Sequence, residues 1–78
     1  MTTFVIKNQD GNNLGVMLEP IGDQFEISPG QEALINVLQS DNVENIQVDY
    51  FSDNFISIWV NGDVIVTVGE SVTNFPMI

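Results

Sequence analysis

Residues 31–39 read Gln-Glu-Ala-Leu-Ile-Asn-Val-Leu-Gln (QEALINVLQ), and the way they fold decides the class of the whole chain. Leu34, Val37 and Leu38 match the spacing of a helical stripe. Ala33, Ile35 and Val37 match the two-residue period of a strand, in which alternate side chains share a face. The surroundings favour the strand: β-branched residues recur from end to end, and alanine occurs only at Ala33. A short helix is the alternative. With the strand, the chain is all-β.

Working outward, Pro29-Gly30 predicts a type II turn, with proline setting φ and glycine supplying the positive φ that follows. Before it, Gln24–Ser28 alternates as a strand with Phe25 and Ile27 on one face. Leu14–Glu19 does the same with Leu14, Val16 and Leu18, and Thr3–Asn8 is the first strand. Between them, QDGNN is a turn, with Gly11 suited to positive φ. Downstream, Ile46–Phe51 alternates with Ile46, Val48 and Tyr50 inward. Phe55–Val60 and Val64–Val68 flank Asn61-Gly62, a β-hairpin signal. A three-residue loop there, with a bulge, places Val60 opposite Val64 and Ile58 opposite Val66, giving a uniform apolar face. The tail 72–76 adds a short edge strand. The tripeptide SDN occurs at 40–42 and 52–54 and reads as two equivalent Asx-type turns.

The sum is seven to eight short strands with turn signals every 8–12 residues, which predicts a compact antiparallel β-sandwich or small barrel. The 78 residues form a single acidic β domain, 1–78, with a modest core. Cysteine is absent, so apolar packing carries the stability without disulfides or thiolate metal sites. Phe4, Phe25 and Tyr50 are the expected aromatic core. No apolar run approaches a membrane span or a signal-peptide core, and a cytoplasmic setting is expected.

Eleven acids against one lysine give a formal net charge of −10, with no arginine or histidine. Such a surface repels nucleic-acid phosphates and anionic membranes, and it attracts basic proteins. A hydrophobic fraction of 44% argues against disorder despite the charge. Without histidine or cysteine, neither a Ser-His-Asp arrangement nor a histidine or thiolate metal site can form. Gly62 and Gly69 bracket a strand and do not form a phosphate-binding loop. The oxygen-rich NQDGNN lacks the spacing of a calcium loop and reads as a turn. No catalytic, cofactor-binding or metal-binding residue is assigned. A carboxylate hydrolase built on Glu19 and Glu26 is the least favoured reading, since nothing marks a cleft between them.

Phe55 and Trp59 lie on the strand face opposite Ile56, Ile58 and Val60, with Ile65 expected beside them across the hairpin. Aromatics on a partly polar face suit a protein interface. The candidate interface residues are therefore Phe55, Trp59, Ile65 and Glu19. Glu19 belongs to LEPIGDQFEISPG, residues 18–30, which otherwise reads as turns and a strand. Its carboxylate is the one acid placed to meet the backbone amides of the next turn.

Residues 8–30 follow the pattern N-x-x-G-x-x-L-x-V-x-x-E-P-x-G-x-x-F-x-x-x-P-G. This resembles small acidic bacterial all-β proteins of unknown function that share an L-x-V-x-x-E-P-x-G-like segment, with Ile21 where many carry tryptophan. The resemblance implies a compact β-sandwich or barrel and transfers no catalytic residue. The expected function is a non-enzymatic protein-binding module, an inhibitor, immunity or adaptor protein for a basic partner. A homo-oligomeric structural protein is the alternative.

Overall fold

The structure, a computed structural model, describes residues 2–38 and 46–76. It contains eight strands: β1 (Thr2–Lys7), β2 (Leu14–Glu19), β3 (Asp23–Ile27), β4 (Glu32–Leu38), β5 (Gln47–Ser52), β6 (Phe55–Trp59), β7 (Asp63–Val68) and β8 (Ser71–Phe75). They form two four-stranded sheets, ordered β1-β4-β7-β8 and β3-β2-β6-β5. The all-β class is observed as a sandwich and not as a closed barrel. Among the described residues, no helix is long and apolar enough to cross a membrane.

β4 settles the reading of residues 31–39. Ala33, Ile35 and Val37 are buried, whereas Leu34 and Leu38 are exposed, as a strand requires and a helix forbids. The core is aliphatic and two-sided. One sheet and its flank contribute Val16, Leu18, Ile27, Ile58 and Val60, and the other contributes Ala33, Ile35, Val37, Val64 and Val66. Phe4 and Phe25 pack half-buried against it. Phe25 of β3 meets Phe75 of β8 at 6.0 Å between ring centroids, joining the two sheets along one side.

Five of the six strand pairings are antiparallel, and β2–β6 is parallel. A parallel pair needs a long crossover, and the passage from β2 to β6 through β3, β4 and β5 supplies one. The expected Asn61-Gly62 hairpin does not form. β6 is an inner strand between β2 and β5, and β7 is an inner strand between β4 and β8. Both edges of each are taken, so the turn at Asn61-Gly62 carries the chain from one sheet to the other. Ile58 and Val60 then share the core with Val64 and Val66 from opposite sheets.

Other expectations change for equally local reasons. Val48 and Tyr50 pair with Ile58 and Ile56 and so share their sheet face, yet both are exposed. β5 is an edge strand, and a correct face does not guarantee cover from the opposite sheet. Gly11 is not among the positive-φ glycines, and that turn is held by side chains. The second SDN forms the β5–β6 turn; the first lies outside the described residues.

Asn8 joins these pieces. It is 3% exposed, and its side-chain Nδ2 donates to the carbonyls of Asn12 at 2.8 Å and Ile27 at 2.9 Å. Its Oδ1 accepts from the Asp10 amide, its own amide donates to the Gln31 carbonyl, and its carbonyl accepts from the Gly30 amide. The Pro29-Gly30 turn is as expected: Gly30 has φ 81°, and the Gln31 amide donates to the Ser28 carbonyl.

A Cβ added at Gly30 meets no atom within 4 Å, so the positive φ dominates the cost of Gly30→Val, about 1–3 kcal/mol in chemical unfolding. Gly11→Ala, equally unobstructed and without positive φ, should leave the midpoint near the parent's and serves as the control. Asn8→Ala strands two carbonyls and an amide, and should cost about 2–4 kcal/mol. Asn8→Asp keeps the acceptor but sets a carboxylate against two carbonyls, which raises its pKa. Its deficit relative to the parent should be smaller near pH 4 and grow as pH rises through that raised pKa.

Candidate functional site

The outer face of the β3-β2-β6-β5 sheet carries the expected interface aromatics, and strand register determines who meets whom. Trp59 on β6 lies between Gln47 on β5 and Glu19 on β2. One row along, Ser57 lies between Asp49 and Met17. In the next row, Phe55 stands beside Gly15, which in turn faces Glu26 on β3. Gly15 is required there: a Cβ would come within 2.6 Å of Phe55 Cδ1, so the ring occupies the space a side chain would need.

A β-bulge at Phe51 sets this arrangement. Ser52 pairs with Phe55, but Tyr50 pairs with Ile56, leaving Phe51 as the extra residue. Without the bulge, every residue of β5 before it would change faces. With it, Gln47 and Asp49 join Trp59. The Trp59 indole Nε1 donates to Asp49 Oδ2 at 3.0 Å, and Gln47 Nε2 donates to both Asp49 oxygens at 3.1 Å. The extra residue is used too: the Phe51 ring lies 5.8 Å from that of Phe55. Tyr50 donates its hydroxyl to Asp53 Oδ1 at 2.9 Å. That hydrogen bond, some desolvation, and the carboxylates of Asp53 and Asp10 raise the tyrosine pKa above its ordinary value.

Trp59 and Phe51 remain 44% and 64% exposed on this face, and Tyr50, 67% exposed, projects from the other face of the edge strand, so the β5 edge presents aromatic surface among carboxylates. Beneath it the face is sealed. Ser57 is 1% exposed, and its Oγ has no hydrogen-bond partner among the described residues.

Of the four expected interface residues, Phe55, Trp59 and Glu19 share this face, with Glu19 directly beside Trp59. Ile65 does not. It lies on the other sheet between Asn36 and Asn74, because β6 and β7 separate after Asn61-Gly62. Glu19 also plays a different part at its turn. The Gly22 amide donates to the Leu18 carbonyl, and the Glu19 carbonyl, not its carboxylate, accepts from Val60. Sequence reading missed Asp49 and Phe51 as members of the face, and it placed Tyr50 in the core, whereas Tyr50 is exposed on the other face of the edge strand. SDN marked the turn beside them, but nothing local announced the bulge.

Carboxylate chemistry finds little support in this geometry. Glu26 faces Gly15, so Glu19 and Glu26 stand four residue steps apart along β2, roughly 13 Å. Paired glycosidase carboxylates lie about 5–9.5 Å apart. A hollow of about 560 Å³ on this face is lined by one carboxylate, Glu26. Among the described residues, no group of three or more His, Cys, Asp or Glu is placed to hold a metal ion.

Trp59 is the only tryptophan, so its environment can be read directly. Asp49→Ala removes the indole acceptor. Trp59 fluorescence should change in emission maximum and become easier to quench, while stability falls by less than about 1 kcal/mol because the pair is exposed. Unchanged emission and quenching would show that Asp49 does not hold the indole.

No protein-family model matches the chain, and no curated protein or solved structure matches it either.

Proposed function

We propose that this chain is a non-enzymatic protein-binding module that docks a basic protein against the β5–β6 end of its sheet. An inhibitor, immunity or adaptor role fits that description. The observation that carries the reading is the run of Phe55, Phe51 and Trp59 with Glu19 and Asp49 along one face of the sheet, bordered at its edge strand by exposed Tyr50 and Asp53, on a chain of net charge −10. Aromatic side chains supply concentrated contact area at modest entropic cost, and interfaces are enriched in them. The surrounding carboxylates attract a basic partner before contact and favour it over acidic or nucleic-acid ligands. The lack of histidine and cysteine supports a role without catalysis and agrees with a cytoplasmic setting.

The alternative, a homo-oligomer closed through Phe55 and Trp59, is less favourable on charge. A two-fold contact would bring Glu19, Asp49 and Asp53 of one copy toward the same residues of another. A basic partner neutralises what a second copy would repel.

The test uses the parent and Trp59→Ala chains against the captured partner. Stopped-flow association should slow as salt rises, the Debye length falling from about 10 Å at 0.1 M to about 3 Å at 1 M. Dissociation should depend less on salt, and W59A should raise it at least about tenfold, as loss of a central aromatic anchor does. A salt-independent association rate would reject steering by the acidic surface.

A further inference from the structure

Among the described residues, the large exposed hydrophobic side chains form two sets. Phe51 and Trp59 belong to the surface above, and Val48 and Tyr50 lie on the other face of the same edge strand, β5. Val5, Leu34, Leu38 and Val72 lie on the opposite side of the molecule's sandwich, on the outer face of β1-β4-β7-β8. The second set is ordered by register. Val5 pairs with Leu34, Leu34 with Thr67, and Thr67 with Val72, giving one row across all four strands. The adjoining row is Thr3, Asn36, Ile65 and Asn74. None of these eight positions is charged.

Charge distinguishes this face from the rest of the chain. Its strand residues include one basic group, Lys7, and two acids, Glu32 and Asp63, so it carries 1 − 2 = −1 of a total of −10. Lys7, the only lysine, lies directly opposite Glu32 at one end. Two copies of so acidic a chain repel one another over most approaches, and repulsion is least where both present this face. Four of the eight positions are aliphatic and the other four are uncharged Thr or Asn, a composition that suits like-to-like contact, since homodimer interfaces are more apolar than other interfaces.

We infer that this face docks a second copy of the chain, sheet against sheet, in a two-fold dimer. Four strands about 4.8 Å apart and about six residues long span roughly 400 Å² in projection. The pair therefore buries on the order of 1,000 Å² in total, which suits a weak and reversible dimer. The β5–β6 surface stays free in the dimer, and the inference stands whether or not that surface takes a basic partner.

Sedimentation equilibrium of the full chain from about 1 µM to about 1 mM, at about 0.05 M and 0.5 M salt, tests this. A monomer–dimer equilibrium is expected, with dimer increasing at high salt as repulsion is screened. Leu34→Glu and Val72→Glu should each weaken association at least tenfold while keeping the parent's circular dichroism; Val72, on an edge strand, is the variant least able to disturb the fold. Trp59→Ala should dimerise like the parent. A monomer at every concentration in high salt would overturn the inference. So would a dimer that W59A abolishes and V72E leaves intact.

Discussion

The buried Asn8 side chain is the interaction on which the rest of the architecture depends. The chain crosses between sheets after β1 and again after β3, and each crossing leaves backbone groups that no strand can pair. Buried without partners, such groups would cost more than a typical hydrogen bond contributes. Asn8 meets them from one point, reaching Asn12, Ile27 and Asp10 with its amide and Gly30 and Gln31 with its backbone. An amide is the right group because the site needs two donors and one acceptor. The segment 8–30, which opens on Asn8 and ends on Gly30, is closed upon itself by this residue.

A second constraint acts at the other end of the sandwich. The bulge at Phe51 sets which side chains of β5 face Trp59. One added residue brings Asp49 to the indole, turns Val48 and Tyr50 to the other face, and places Phe51 against Phe55. Gly15 completes the arrangement on the neighbouring strand by leaving room for the Phe55 ring. The surface is thus built from backbone irregularity and a missing side chain as much as from the aromatics themselves.

The two outer faces solve different problems. One combines aromatics and carboxylates, so contact area and long-range attraction coincide. The other mixes aliphatic with uncharged polar side chains and is nearly neutral within a strongly acidic chain. A sheet with both faces covered needs no such contrast; here each sheet buries one face in the shared core and leaves the other to solvent or to partners.

The sequence by itself determined the strands. Alternation of small aliphatics identified β2 and β7 and favoured a strand at β4, where the rival helical stripe stayed open until burial of Ala33, Ile35 and Val37 on one face decided it. It also determined the Pro29-Gly30 turn, since proline sets the φ of the first central residue and glycine freely takes the positive φ of the second. The outward placement of Phe55, Trp59 and Glu19 was legible for the same reason. Tertiary structure alone decided partnership. Asn61-Gly62 marks a reversal, but whether the next strand returns beside its predecessor or crosses to the other sheet depends on which strand edges are already occupied. That choice moved Ile65 away from Trp59. The exposure of Tyr50 followed from β5 lying at a sheet edge, and the pairing of Asp49 with Trp59 followed from the Phe51 bulge. Periodicity reports which face a side chain takes; long-range pairing decides what covers that face.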